Sequence, residues 1–186
     1  LYGDEIIDDT VKQVLEAGVG FVPEDRKVDG LVAEFTVAEN LMLDRSTGAP
    51  FAKGLSIDFA HRDEFADASI AEFDIRTPGK DTLVGRLSGG NQQKVVLARE
   101  LGRELKLFVA SQPTRGVDVG SIEFIHERIV QVRDSGVPVL VVSTELDEVI
   151  ALADRIAVMY RGSIIDIVPA DTPREQLGRL MAGVHE

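Results

Sequence analysis

Short apolar strands alternate with amphipathic helices through the second half of this chain, and this alternation restricts the possible folds more than any other feature. Residues 105–110 and 137–142 are nearly continuously apolar and have the length of buried strands. Residues 121–134, between them, place apolar side chains on one helical stripe, and residues 146–153 make another. Because strands joined through helices pair in parallel and are covered on both faces, the pattern predicts an α/β fold with a largely parallel sheet.

Helices dominate the part of the chain that precedes this alternation. The sequence predicts a first strand, a helix near 10–17, a buried strand at 19–22, a helix at 36–43 capped by Thr36, a loop at 47–54 and a helix at 61–73. After the alternating part, it predicts a hairpin at 156–168 and a last helix from Thr172. We therefore expect a helical subdomain over about 24–92, an α/β core from 1–23 and 93–172, and a C-terminal helix over 173–186.

The composition excludes several classes of function. The net charge of −12 and the pI near 4.7 give a surface that repels nucleic-acid phosphate and offers no basic patch to anionic lipid. The chain has no cysteine, which excludes disulfides and thiolate metal sites. No stretch approaches the 18 apolar residues of a membrane span. We expect no nucleic-acid partner.

Residues 87–100 carry the strongest functional signal. They read Leu87-Ser-Gly-Gly-Asn-Gln-Gln-Lys-Val-Val-Leu-Ala-Arg-Glu100. Ser88 is a good helix N-cap, and a cap alone would account for it. Gly89 and Gly90, however, each cost a helix about 1 kcal/mol and let an anion approach the first helical N–H groups closely. The segment therefore predicts a phosphate-binding helix tip.

This segment resembles the signature motif of ATP-binding-cassette (ABC) ATPases, with Asn91 where many members have Gln. The resemblance extends over nearly the whole chain. Residues 18–26 are similar to the family's Q-loop segment, with Glu24 in the usual Gln position and Asp25 and Arg26 after it. Without the resemblance, residues 18–26 would be interpreted as a strand-to-helix turn fixed by Pro23. Within the family, the Q-loop senses nucleotide and couples to membrane domains.

Two catalytic positions of the family are replaced in this chain. Leu107-Phe-Val-Ala-Ser-Gln-Pro-Thr114 resembles the Walker B strand, in which Asp holds Mg²⁺ and Glu polarises water. Ser111 and Gln112 occupy those positions, and neither ionises near neutral pH. Thr144 stands where the family has a switch histidine. Loss of a general base typically lowers a rate by about 10²–10⁴-fold, so the resemblance implies a degenerate home site.

The Walker A phosphate loop is also missing from the sequence. The nearest match, Gly79-Lys80, is followed by Asp81 and lacks the required upstream glycine. The resemblance therefore implies a P-loop NTPase-like fold that is truncated before the N-terminal part of its sheet. We expect the natural protein to continue upstream, with a Walker A loop close to residue 1 and a second, intact cassette before it.

Together, these features resemble the second cassette of tandem importers for simple sugars or nucleosides. In such pairs each ATP lies between one domain's Walker motifs and the other domain's signature. The resemblance implies that Ser88, Gly89, Gly90, Asn91 and Gln92 contact ATP in trans, with Mg²⁺ shared with a partner cassette. Asp118 then belongs to the D-loop, Arg115-Gly-Val-Asp118, at the dimer interface, although it could also simply cap the next helix.

The same resemblance implies partners and a location. It predicts a partner cassette, transmembrane permease subunits and, indirectly, a solute-binding protein, with the chain cytoplasmic and peripheral on the membrane's inner face. We expect no ATP turnover from the isolated chain. The alternatives are a complete, independently active ATPase, a non-transport ABC ATPase, and a regulatory or interaction domain without nucleotide turnover. Fold resemblance does not decide among them.

Overall fold

The computed structural model describes residues 1, 3–46, 48–54 and 56–184, which divide into two compact units. The first unit spans 1–140 and the second 141–186. Three predicted features, the first strand, the loop at 47–54 and the helix over 173–186, include positions outside the described residues.

The first unit contains most of the elements. They are α1 (Val11–Glu16), β1 (Val19–Val22), a π-helical turn (Arg26–Gly30), α2 (Val37–Leu41), a 3₁₀ turn (Leu43–Arg45), β2 (Ala52–Lys53), β3 (Ser56–Ile57), α3 (Phe59–Glu72), a 3₁₀ turn (Val84–Arg86), α4 (Gly89–Leu101), β4 (Leu107–Ser111), α5 (Val119–Asp134) and the start of β5 (Val139–Val142). β2, which lies in the stretch 47–54 predicted as a loop, forms a small antiparallel pair with β3 just after that stretch.

A parallel sheet forms the core of the first unit. β1 pairs with β4 in parallel, in register from Val19 opposite Leu107 to Val22 opposite Ala110. β5 follows β4 in the strand order, and Phe108 N donates to Pro138 O at 3.0 Å. α4 packs against β1, α2 and α5, and its apolar residues from Val95 to Ala98 are fully buried. The predicted parallel pairing is therefore confirmed. The predicted burial is only partial, since Phe21, Leu140 and Val142 on these strands are 47%, 53% and 47% exposed.

Local hydrogen bonds explain where the first helices begin. Thr10 and Thr36 each form a capping box at the N-termini of α1 and α2. In the second box, Glu39 N donates to Thr36 Oγ1 at 3.2 Å, and Thr36 N donates to Glu39 Oε2 at 2.7 Å. These reciprocal bonds satisfy helix-end donors that would otherwise lack partners, and the predicted cap at Thr36 is confirmed.

The predicted first strand is wrong for residues 1 and 3–9. They form turns instead, with Asp4 N donating to Leu1 O at 3.0 Å and Asp9 N to Ile6 O at 3.2 Å. A strand requires a neighbour for its backbone N–H and C=O groups. None of the other described strands pairs with this segment, so its hydrogen bonds are local.

The second unit is a hairpin covered by a helix. It consists of the end of β5, α6 (Leu146–Leu152), β6 (Arg155–Tyr160), β7 (Ser163–Pro169) and α7 (Arg174–Met181). β6 and β7 are antiparallel, and both turn residues, Arg161 and Gly162, have positive φ. Its core contains Ile156, Val158, Val168, Leu177 and Leu180. The hairpin prediction is confirmed, whereas α7 begins two residues later than predicted.

We expect Gly183→Ala to destabilise the second unit. Gly183 has φ +78°, and an added Cβ would lie 2.6 Å from the Tyr160 ring. The left-handed backbone and the clash together should cost roughly 2–4 kcal/mol. Gly178 is the matched control, since it lies within α7 and an added Cβ meets nothing within 4 Å. Gly178→Ala should stabilise α7 by roughly 0.5–1 kcal/mol. Hydrogen exchange of the α7 amides measures both effects, and equal protection in the two variants would contradict the prediction.

Candidate functional site

The start of α4 forms a helix tip, which we call the signature tip (residues 88–91); Ser88 is exposed and Gly90 is buried. Ser88 has extended backbone angles, φ −62° and ψ 158°, and its Oγ accepts hydrogen bonds from Asn91 N at 3.4 Å and Asn91 Nδ2 at 2.9 Å. Asn91 Oδ1 in turn accepts from Arg76 N at 2.7 Å. Ser88 is exposed, so its hydroxyl hydrogen can still donate to an external acceptor.

Backbone donors are also available at the signature tip. Within the described part of the chain, the N–H groups of Gly89 and Gly90 have no hydrogen-bond partner. The first N–H groups of a helix carry about half an elementary charge in total, which favours an anion there. The tip therefore has the chemistry that the sequence predicted, a hydroxyl and two amide donors at a helix N-terminus.

The two glycines have a second, internal reason to lack side chains. A Cβ on Gly89 would lie 2.6 Å from Arg26 Nη2 and 2.7 Å from Gly116 O. On Gly90 it would lie 2.1 Å from Ser121 Oγ. The signature tip is thus packed tightly against the loop before α5 and against the first turn of α5. The glycines are required by this packing whether or not a ligand binds.

A groove of about 420 Å³ opens beside the signature tip. Its charged lining residues are Asp74, Asp118, Glu123, Glu127, Arg76 and Lys94. Lys94 Nζ is held by Asp74 Oδ2 at 2.9 Å and lies 4.4 Å from the centroid of the Phe124 ring. Four carboxylates therefore face two cations, and both cations form ion pairs with Asp74. The groove is net acidic.

The sequence does not single out Asp74 or Arg76, because both precede the signature tip by more than ten residues. One local signal existed, since Lys94 and Asn91 lie three residues apart on α4 and therefore on the same face.

Two carboxylates of the groove stay ionised near neutral pH. Asp118 caps α5, with its carboxylate accepting from Ser121 Oγ at 2.9 Å and Ser121 N at 3.0 Å. These hydrogen bonds, the side-chain one first, hold the pKa of Asp118 below its usual value. The hydrogen bond from Lys94 likewise lowers the pKa of Asp74. Asp118 thus serves as a cap, and its D-loop role stays a prediction.

The residues after the signature tip point into the protein. Gln92 is buried and donates through Nε2 to Val84 O at 3.3 Å and Leu87 O at 3.2 Å. Gln93 is also buried and donates to Pro113 O at 2.8 Å. The sequence predicts that Gln92 contacts a ligand, whereas the structure places its amide on the turn that precedes α4.

The segment that resembles a Q-loop contacts the D-loop segment (residues 115–118). Arg26 donates through Nη1 to Arg115 O at 2.6 Å and through Nη2 to Gly116 O at 3.0 Å. Glu24 forms an exposed ion pair with Arg115. Asp25 accepts two backbone N–H bonds at the start of the π-helical turn. The structure therefore brings Arg26, the D-loop segment and Gly89 together.

The positions predicted to replace catalytic residues are Ser111, Gln112 and Thr144. Ser111 ends β4 and is half-buried, and Gln112 follows it with φ +49°, in the left-handed region. Thr144 is exposed between β5 and α6. Among the described residues, no group of three or more His, Asp or Glu could hold a metal ion. Since Mg²⁺ prefers carboxylate oxygens, Ser111 and Gln112 do not fit a magnesium site.

A family model described as ABC transporter matches residues 1–115. This match includes more than half of the chain and contains both the signature tip and Arg26. The chain belongs to the ABC transporter family. Membership in the ABC transporter family agrees with the resemblance found in residues 18–26 and 87–100.

Curated relatives align with nearly all of this ABC transporter chain. The nucleoside import ATP-binding protein NupA of Lactococcus lactis is 46% identical over 184 residues, covering 98% of this chain and 36% of that protein. The guanosine import ATP-binding protein NupO of Bacillus subtilis is 43% identical, with the same two coverages. A glucose import ATP-binding protein of Haloferax volcanii is 40% identical, covering 97% of this chain and 34% of that protein. The chain thus spans about a third of the length of these relatives.

Solved structures confirm the fold of this ABC transporter chain. An ATP-binding cassette, solved as a dimer in a post-hydrolysis state with ADP and Pi, superposes with a TM-score of 0.72 at 22% identity, covering 88% of this chain and 67% of that one. A dimeric bacterial ABC transporter cassette gives 0.71 with the same coverages. The predicted P-loop NTPase-like α/β fold is confirmed. None of the helices among the described residues combines the length and apolar composition of a membrane span.

Proposed function

We propose that this chain is part of the ATP-binding component of an ABC importer for nucleosides or simple sugars. Its signature tip contacts ATP that a partner cassette holds, and its own site turns over ATP poorly. Two kinds of observation support the proposal. The relatives named above include import ATP-binding proteins for nucleosides, guanosine and glucose, and the tip geometry suits contact with a phosphate.

The observation that carries the proposal is the pairing of a donor-rich tip with an acidic groove. Ser88 and the two glycine N–H groups can donate to a phosphate oxygen. The groove's carboxylates repel a phosphate, and Lys94 does not offset this repulsion because it is already bonded to Asp74. Helix-tip donors stabilise an anionic charge by only about 0.3–1 kcal/mol. The tip therefore suits a nucleotide whose charge a partner's Lys and Mg²⁺ have already neutralised.

The home site lacks the groups that hydrolysis requires. Gln112 can orient a water molecule through its amide but cannot take its proton. Ser111 supplies no carboxylate for Mg²⁺, and Thr144 has no imidazole. In this proposal the shared Mg²⁺ is held by the partner cassette, and hydrolysis occurs at the site that the signature tip completes.

The remaining assignments follow from this arrangement. Asp118 and the D-loop segment lie at the interface with the partner cassette. Residues 24–26 couple nucleotide state to the permease subunits, with a solute-binding protein as an indirect partner. The chain works on the cytoplasmic face of the membrane. Residues 24–92 act as a helical subdomain that carries the signature tip, beside an α/β core.

Cysteine labelling in the full-length polypeptide tests the contact in trans. The chain has no cysteine of its own, so a thiol at Ser88→Cys reports on the signature tip alone once cysteines elsewhere are replaced by serine. We expect ATP with vanadate to slow maleimide labelling of this thiol by about tenfold or more, because a closed interface excludes solvent.

Ser135→Cys is the matched control for this experiment. Ser135 is an exposed serine at the C-terminal end of α5, and its labelling should not respond to nucleotide. If Ser88→Cys labels equally fast with and without ATP and vanadate, the tip faces solvent and the proposal is wrong. That outcome would favour a regulatory or interaction domain.

A further inference from the structure

Arg26 lies where three segments that are distant in sequence meet. Its guanidinium donates to two successive carbonyls, Arg115 O at 2.6 Å and Gly116 O at 3.0 Å. Arg26 and these acceptors are about ninety residues apart. The guanidinium is rigid, and it donates to two adjacent carbonyls. These two hydrogen bonds therefore fix both the position and the orientation of the backbone at residues 115–116.

The same guanidinium borders the signature tip. A Cβ on Gly89 would come within 2.6 Å of Arg26 Nη2 and 2.7 Å of Gly116 O. The first residue of α4 therefore rests directly on the junction between Arg26 and the D-loop segment. Gly116 has φ +66°, a conformation that glycine adopts without strain.

The turn that presents Arg26 is itself held in place. Asp25 Oδ1 accepts from Lys27 N at 2.9 Å and from Val28 N at 3.3 Å, which caps the π-helical turn. Burial lowers the pKa of the Arg26 guanidinium, and the Asp25 carboxylate partly offsets this effect. Arginine remains protonated in proteins, so the two hydrogen bonds keep a charged donor.

We propose that Arg26 is a positioning residue that holds the D-loop segment against the signature tip, so that both reach the partner-bound nucleotide as one unit. The inference rests on the proposed function. Arg26 does not touch the reacting atoms in this scheme. It acts through Gly116 and Gly89, and its loss should leave nucleotide binding by the partner intact while impairing assembly of the closed site.

Steady-state ATPase kinetics of the full-length importer, reconstituted with its permease subunits, test this role. We expect Arg26→Gln to lower kcat by about 10- to 100-fold while KM for ATP changes by less than about twofold. A residue needed only for folding would instead lower the amount of active protein and the melting temperature. Lys27→Gln is the control, since it removes one charge from an exposed neighbour in the same turn, and it should leave kcat and KM unchanged.

If Arg26→Gln folds poorly, Arg26→Lys tests the positioning role instead. A lysine keeps the charge but lacks the planar fork that spans two carbonyls, so kcat should still fall by about fivefold or more at an unchanged melting temperature. A kcat within twofold of the parent, in a variant that melts normally, overturns the positioning role. Gly89→Leu is measured in parallel. If that variant also keeps its ATPase, the proposed function has failed rather than this inference alone.

Discussion

The variant Gly89→Leu should lose most of the ATPase activity of the full-length importer, with kcat lowered about 100-fold or more. An added Cβ lies 2.7 Å from Gly116 O, which is backbone and cannot rotate away. The side chain would therefore displace either the signature tip or the D-loop segment. Both positions are predicted to meet the partner-bound nucleotide, so either displacement removes the contact in trans.

Gln112→Ala in the same protein should lower kcat by less than about threefold. Gln112 stands in the degenerate home site, where the proposal assigns little turnover. Gly178→Leu controls for the effect of replacing a glycine by leucine, because Gly178 is an exposed glycine of α7 with nothing within 4 Å of an added Cβ. The reverse ranking, with Gln112→Ala the more damaging change, would contradict the assignment of roles.

The largest stability effect is expected from Glu100→Gln, which should destabilise the chain by roughly 3–5 kcal/mol. The carboxylate of Glu100 accepts from Arg99 Nε at 2.9 Å, from Phe21 N at 3.1 Å and from Arg103. The side chains of Glu100, Arg99 and Arg103 are 5%, 8% and 13% exposed. Neutralising the carboxylate would leave two buried guanidinium groups short of a counter-charge. In either orientation of the new amide, its NH2 group would face a donor, Arg99 Nε or Phe21 N.

Urea denaturation followed by circular dichroism measures this effect. Glu104→Gln is the control, since Glu104 lies four residues further along the chain and is exposed. The free energy of unfolding of this variant should stay within about 0.5 kcal/mol of the parent's. A loss below about 1 kcal/mol for Glu100→Gln would show that Asp44, which also binds Arg103 at 2.6 Å, compensates for the missing charge.

Features that depend on neighbours in sequence were predictable. The caps at Thr36 and Ser88, the helices that follow them and the hairpin around Gly162 all rest on hydrogen bonds or backbone angles within a few residues. The parallel character of the sheet followed from short apolar runs that alternate with helices. The first strand was wrong because a strand depends on a neighbour that local pattern does not specify.

The ionic contacts were not predictable in the same way. Lys94, Arg99 and Glu100 have the sequence pattern of a solvated helix face, yet all three are buried. Charged residues are seldom buried unless they are paired. Arg99 and Glu100 pair with each other on α4, but Lys94 and Glu100 also have partners in distant segments. Phe21 N, for example, reaches Glu100 across 79 residues. The sequence likewise gave only part of the reason for Gly89 and Gly90. The atoms that an added Cβ would strike, such as Gly116 O and Ser121 Oγ, belong to distant segments of the chain.

Residue identity and local periodicity are enough to predict the signature tip and the α/β fold. They also predict that Ser111, Gln112 and Thr144 replace the ionisable groups of the family's catalytic positions. In contrast, the meeting of Arg26, Gly116 and Gly89, the inward direction of Gln92 and the net acidity of the groove beside Ser88 are visible only in the folded chain. These depend on how segments far apart in the chain pack together, and that packing is set by the burial of the whole core rather than by any local pattern.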